Sequence, residues 1–217
     1  MDSSTARKII EIIKNDRDVA RDLLEKDIPE DASYIWQSHY EADYNEMCLA
    51  LLVAVRHQVE RELVLIAARV PDDRRELDQA RYRHEVENER KRLKNDGWKG
   101  IIAKLQLKTF SSWDSSMKLL QILVNLYKHD PWVTPDRELL SFLNLPMGVP
   151  YAPLAESQDV KEGLNAYLGL EERSNFCDIA SELLDRADQF LAEVKSKTKR
   201  KKLKRHAVSL NPDTFLR

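Results

Sequence analysis

Residues 117–131 read MKLLQILVNLYKHDP, and this segment decides how the chain folds. A helix advances about 100° per residue, so residues three and four apart share a face. The helix therefore has one polar stripe, which begins just before the quoted segment, while nearly all its other side chains are apolar. The stripe consists of Asp114, Lys118, Gln121, Asn125, Lys128 and His129. A helix that is apolar over most of its circumference is predicted to be mostly buried.

The end of this helix carries a histidine. Pro131 disfavours helical geometry at Asp130, which predicts a helix end near His129. At the negative end of a helix the protonated imidazole is favoured by a few tenths to about 1 kcal/mol. Asn125 lies one turn before His129, so both side chains can face one cleft. The alternative is that the stripe is only a solvated face and that His129 caps the helix.

The composition favours an all-α protein with one sizeable core. The 217 residues include only 5 Gly and 8 Pro, and the common residues favour helix. Alternating strand patterns are absent. We expect a single helical domain over residues 1–194, with an N-terminal helix in 1–30 and a charged arm over 72–96. Residues 195–217 are expected to form a basic, flexible tail.

Two long helices are predicted before the central one. The first spans 6–25, and its apolar side is marked by Ile9, Ile13, Val19 and Leu23 or Leu24. The second spans 34–69, is about 50 Å long and forms the spine of the bundle. Its apolar stripe is Trp36, Tyr40, Tyr44, Met47, Leu51, Val55, Val59, Leu63 and Ile66. Arg56 and Glu60 on it are expected to support the helix as an i,i+4 pair.

Further helices are predicted after residue 131. Thr134 is expected to cap a short helix over 135–143, and another short helix spans 160–168. Ser174 is expected to cap the last main helix. The apolar stripe of that helix is Phe176, Ile179, Leu183, Ala187, Phe190 and Val194.

The segment 72–95 carries charged residues around nearly the whole circumference of a predicted helix. Charges of both signs alternate along it, which predicts a solvent-exposed helix or a protruding arm held by i,i+4 pairs. Such a surface is usually only a solvated face. The alternative is that the arm docks a protein partner.

The basic residues are concentrated at the end of the sequence. Residues 195–217 carry a net charge of +8 in a chain whose total is −2, so the rest sums to −10. Any affinity for nucleic acid must then come from this tail or from a local groove. The candidate contacts in the tail are Lys199, Arg200, Lys201, Lys202, Lys204 and Arg205. The alternative is a tail that only increases solubility.

Several function classes lack their motifs. No glycine-rich phosphate loop, zinc spacing, HExxH or nucleophile-elbow serine occurs, so we expect no metal and no cofactor. No uncharged apolar run approaches about 18 residues, which disfavours a membrane span. Cys48 and Cys177 lie among apolar helical positions and are expected to be reduced core residues. With no N-terminal signal pattern, these features predict a cytoplasmic protein.

Residues 119–129, LLQILVNLYKH, resemble the late helix of HEPN proteins (higher eukaryotes and prokaryotes nucleotide-binding domains). The similar branch of that family reads roughly L-x-x-x-x-N-x-x-K-H in this helix. The resemblance extends over residues 34–195 in the order of the helices. It implies a helical bundle that dimerises, in a family of metal-independent ribonucleases and non-catalytic RNA-binding modules found in toxin–antitoxin and phage-defence systems.

The resemblance implies site residues and also shows one departure. His129 matches the family histidine and Asn125 the polar residue, with Lys128 between them. The family arginine is absent, because Ile122, Leu123 and Val124 occupy its permitted positions. We therefore expect an RNA-associated, non-catalytic or weakly active module acting as a homodimer. The alternatives are a metal-independent endoribonuclease using His129, Asn125 and Lys128, and a protein-interaction adaptor.

Overall fold

A computed structural model of the chain contains only α-helices and connecting segments in the residues it describes. These residues are 3–27, 30–69, 79–107, 111–129, 135–147 and 152–209. The all-α class predicted from the composition is confirmed. The helices are α1 (Ser3–Asp27), α2 (Glu30–Ala67), α3 (Gln79–Lys104), α4 (Ser111–His129), α5 (Arg137–Phe142), α6 (Gln158–Leu168) and α7 (Phe176–Ser209).

The chain divides into two compact units. The first comprises residues 1–58 and 112–187, and the second comprises 59–111 and 188–217. Helices α2 and α7 each contribute residues to both units. The first unit therefore contains α1, α4, α5, α6 and the larger part of α2, and the second contains α3.

Helix α4 is buried as its sequence predicts. Seven of its apolar side chains are almost wholly shielded from solvent, whereas the described residues of its predicted polar stripe are exposed. The buried set is Met117, Leu119, Leu120, Ile122, Leu123, Val124 and Leu126. The exposed set is Lys118, Gln121, Asn125 and Lys128, so the predicted polar stripe is confirmed over these residues. The helix ends at His129, also as predicted.

Helix α2 is the long helix that the sequence predicts, with bounds that differ by a few residues. Tyr44, Leu51, Val55, Val59 and Leu63 of its predicted stripe are buried. Met47, in contrast, is exposed, because the buried surface turns towards the next residue, Cys48. The side chains of Trp36 and Tyr40 lie outside the described residues.

The predicted apolar side of α1 is wrong in part. Ala6, Ile10, Ile13 and Arg17 form its buried face at helical spacing. Val19 and Leu23 are 59% and 55% exposed, because they lie on a different face of the helix. Two polar contacts of α1 in the first unit add to this packing: the Tyr44 hydroxyl donates to Asp16, and the Lys14 ammonium donates to Asp178.

The residues that cap α5 and α7 differ from the two predicted ones. Asp136, not Thr134, caps α5 by accepting a hydrogen bond from the Leu139 amide at 2.9 Å. Asn175, not Ser174, caps α7: its Oδ1 accepts from the amides of Cys177 and Asp178 at 2.9 and 3.1 Å. Asp178 reaches back to the Asn175 amide at 3.1 Å and completes a reciprocal capping box. All six apolar residues predicted to form the α7 stripe are buried.

In the second unit, α3 contains most of the charged segment 72–95. Most of its described charged side chains are exposed, as expected for the arm, but Glu89 is only 2% exposed. Its carboxylate accepts hydrogen bonds from Lys104 and Arg92. Gly97 interrupts α3 with a φ of 64°, a conformation that glycine adopts without strain, directly after the predicted end of the charged arm at residue 96. Residues 70–78 lie outside the described residues.

The last helix does not end near residue 194, where the sequence placed the start of a tail. Helix α7 continues to Ser209, because the basic run is rich in Lys and Arg, which favour helix. Lys195, the first residue of this run, forms an ion pair with the buried Glu62 at 3.1 Å. Residues 210–217 lie outside the described residues. The boundaries of the single-domain prediction stay a prediction.

The cap of α7 is testable with neighbouring substitutions. Asn175→Ala removes an acceptor for two amides and should lower the free energy of unfolding by about 1 kcal/mol. Ser174→Ala is the matched control and should change it by less than about 0.5 kcal/mol. Denaturant unfolding followed by circular dichroism measures both. Equal losses in the two variants would contradict the assignment of the cap.

Candidate functional site

The polar stripe of α4 contacts two neighbouring residues of α2. Arg56 donates a hydrogen bond from its guanidinium to Oδ1 of Asn125. Both residues belong to the first unit. A hydrogen bond from a charged donor is about twice as strong as one between neutral groups. This contact therefore holds the Asn125 amide with its oxygen towards the guanidinium.

The second contact joins His57 to Lys128. The Lys128 ammonium lies 2.9 Å from Nε2 of His57. An ammonium has three donors and no acceptor, so it donates and the imidazole nitrogen accepts. This contact therefore requires that Nε2 of His57 carries no proton.

These four residues form what we call the cationic cluster: Arg56, His57, Asn125 and Lys128. His57, Asn125 and Lys128 are exposed and Arg56 is half-buried. Among the described residues, no carboxylate forms an ion pair with Lys128. Lys118, ten residues earlier in the same stripe, has its charge offset by Glu138 at 3.5 Å.

The local sequence explains how the cluster is positioned. On α4, Val124 and Leu126 are buried on either side of Asn125, which leaves the amide on the open face. On α2, Val55 is buried immediately before Arg56. Adjacent residues of α2 thus contact residues three apart on α4. Packing of the apolar faces fixes both helices, and the polar pairs form where their open faces meet.

The predicted site residues are only partly brought together. Asn125 and Lys128 lie in the cluster, one turn apart. The side chain of His129 lies outside the described residues, although its backbone ends α4. The six basic tail residues predicted to bind nucleic acid belong to α7, and their side chains also lie outside the described residues.

Sequence reasoning missed the contribution of α2. The sequence predicts a pairing of Arg56 with Glu60 and assigns no role to His57. Both residues directly follow the apolar run LLVAV of residues 51–55, and this change from apolar to basic residues is the available signal. The pairing with α4 follows from tertiary packing between helices that are about 70 residues apart, which helical periodicity does not specify.

The side chains of the cationic cluster are suited to binding an anion. A guanidinium and an ammonium at an exposed surface attract phosphate groups, and the guanidinium can bind two oxygens at once. The neighbouring phenol of Tyr127 has its pKa raised by partial burial and then by the charge of Glu46, so it stays protonated at neutral pH. Within the described ranges, no group of three metal-ligating side chains occurs.

Comparisons of the sequence with family models and curated proteins, and of the fold with solved structures, give no match. None of the described helices is both long and apolar enough to cross a membrane. The function of the cationic cluster is therefore inferred from the charges and hydrogen-bonding groups of its side chains.

Proposed function

We propose that the protein is an RNA-associated, HEPN-like module of a defence or toxin–antitoxin type system, and that it binds the RNA backbone at the cationic cluster. The observation that carries this proposal is the pairing of Arg56 with Asn125 and of His57 with Lys128. It places two permanent cations and an imidazole at one exposed surface. Outside the basic residues 195–217 the chain is acidic, so that part of the chain needs a local site of this kind to interact with a polyanion.

The cluster is chemically suited to a phosphodiester. Each residue that neutralises a phosphate releases condensed counterions, which gives affinity that falls with salt. Asn125 can contribute amide donors to a phosphate or a base edge, since its oxygen already accepts from Arg56. RNA is the proposed nucleic acid because the N-x-x-K-H helix resembles that of an RNA-acting family. A homodimer and a cytoplasmic location belong to the same proposal.

Neutralising the cluster should weaken RNA binding. We expect Arg56→Gln and Lys128→Gln each to raise the Kd for a labelled single-stranded RNA about 3–10-fold, which corresponds to roughly 1 kcal/mol of binding free energy. The slope of log Kd against log salt should fall by about 0.7 for each phosphate that the variant no longer neutralises. Fluorescence anisotropy over a salt series measures both quantities.

Lys118→Gln is the matched control, because it removes the same charge from the same exposed stripe where Glu138 already offsets it. It should leave affinity and slope close to those of the wild type. A second control replaces Lys199, Lys201, Lys202 and Lys204 with Gln, which preserves helix propensity in α7. The effect of Lys128→Gln should persist in that background. If affinity depends only on the α7 lysines, the cluster is not the RNA site.

A second candidate function, a metal-independent endoribonuclease, is supported by one observation. The family arginine is missing from α4, but the Arg56 guanidinium from α2 contacts Asn125, the residue matching the family's polar position. RNA cleavage through the 2′-hydroxyl needs an acid, a base and positive charge on the phosphorane. His129 is the proposed acid or base, and Arg56 with Lys128 supplies the charge.

Cleavage in the presence of EDTA tests this candidate. The wild type should cut single-stranded RNA without metal, and His129→Ala should lower the rate at least about 100-fold. His84→Ala is the control, because His84 is an exposed histidine of α3. Intact RNA after incubation with concentrated wild-type protein would refute the enzyme function. That result would not contradict the proposed RNA binding.

A further inference from the structure

The two cysteines of the chain meet in the core of the first unit. Cys48 of α2 and Cys177 of α7 have their Sγ atoms 3.0 Å apart, although 129 positions separate them in the sequence. Both are free thiols and are only 1% and 2% exposed. A disulfide has an S–S distance of about 2.05 Å, so the two sulfurs need to approach by only about 1 Å to bond.

The surroundings of the pair distinguish one sulfur from the other. Cys177 is the second residue of α7, where the helix dipole favours a thiolate. The hydrogen bond between the two sulfurs lowers the pKa of Cys177, while burial and the Asp178 carboxylate act in the opposite direction. The pKa of Cys48 is raised by the same bond and by burial. Cys177 is therefore the nucleophile, and Cys48 is its thiol partner.

A buried cation stands next to this pair. Arg17 of α1 is 8% exposed, and its positive charge lowers the pKa of both thiols. Its Nη1 atom has no hydrogen-bond partner among the described residues. The guanidinium pairs with Asp18 at 3.3 Å and with Glu41 at 3.4 Å. Its charge also favours a thiolate on the nearby cysteines.

We propose that Cys48 and Cys177 form a redox-active dithiol that a small hydroperoxide oxidises to a disulfide between α2 and α7. The Cys177 thiolate attacks the hydroxyl oxygen of the hydroperoxide and the O–O bond breaks. Cys177 becomes a sulfenic acid, and the departing alkoxide or hydroxide takes a proton from solvent and leaves as an alcohol or water. Cys48 then attacks Sγ of Cys177, the S–O bond breaks, and water leaves with the Cys48 proton. The dithiol loses two electrons and the hydroperoxide gains them. The burial of both sulfurs excludes bulky disulfides, so the proposed oxidant is small.

The wild-type chain provides the first test, and it needs no substitution. Native protein is treated with hydrogen peroxide, quenched, denatured and alkylated, and its intact mass is measured. We expect loss of both alkylation sites and a mass decrease of two hydrogens, in a monomer on a non-reducing gel. The oxidised form should also unfold at a higher temperature, since the bridge closes a long loop. Two alkylated cysteines after treatment would overturn the proposal.

Single substitutions test the roles of the two sulfurs. Cys48→Ala should leave a sulfenic acid on Cys177 that dimedone traps, whereas Cys177→Ala should leave Cys48 unmodified at the same peroxide dose. Each variant removes one buried thiol from the same contact, so each controls for the packing loss in the other. We expect at least a tenfold difference in labelling rate. Equal rates, or oxidised glutathione reacting as fast as peroxide with the wild type, would overturn the mechanism. The inference is independent of the proposed function.

Discussion

Burial of helix α4 is the constraint on which the candidate site depends. Seven of its apolar side chains are buried, and burying one such side chain contributes about 1.5–3 kcal/mol. A hydrogen bond from a charged donor, such as that from Arg56 to Asn125, contributes about 1.5–3 kcal/mol, so the seven buried side chains together outweigh it. Apolar burial therefore decides how α4 is rotated, and the polar pairs form on the face that this rotation leaves open. The cationic cluster is a consequence of packing rather than its cause.

The features that follow from periodicity could be predicted from the sequence. The all-α class, the buried α4 with its exposed stripe, its end at His129 and the apolar stripe of α7 all follow from residue spacing and from Pro131. The predictions for Val19, Leu23 and Met47 failed for a common reason. Each is an apolar residue outside the buried face of its helix, and only the neighbouring helices decide which face is covered.

The site could be predicted only in the part that lies on one helix. Asn125 and Lys128 share a face of α4, so their spacing alone indicates that they act together. Arg56 and His57 come from a helix about 70 residues earlier, and nothing in the sequence specifies which residues of α2 face α4. The residues that cap α5 and α7 likewise could not be predicted from the sequence alone. Thr134 and Ser174 have suitable chemistry, but Asp136 and Asn175, one or two residues later, accept the hydrogen bonds.

The central claim is that the surface formed by Arg56, His57, Asn125 and Lys128 contacts RNA. Photocrosslinking tests it most directly: the wild-type chain is irradiated with a single-stranded RNA containing 4-thiouridine, and the linked peptides are identified by mass spectrometry. The account predicts cross-links in the α2 and α4 segments that contain these four residues, and their loss at high salt. Cross-links confined to the basic end of α7, or none above those of an unrelated acidic protein, would contradict it.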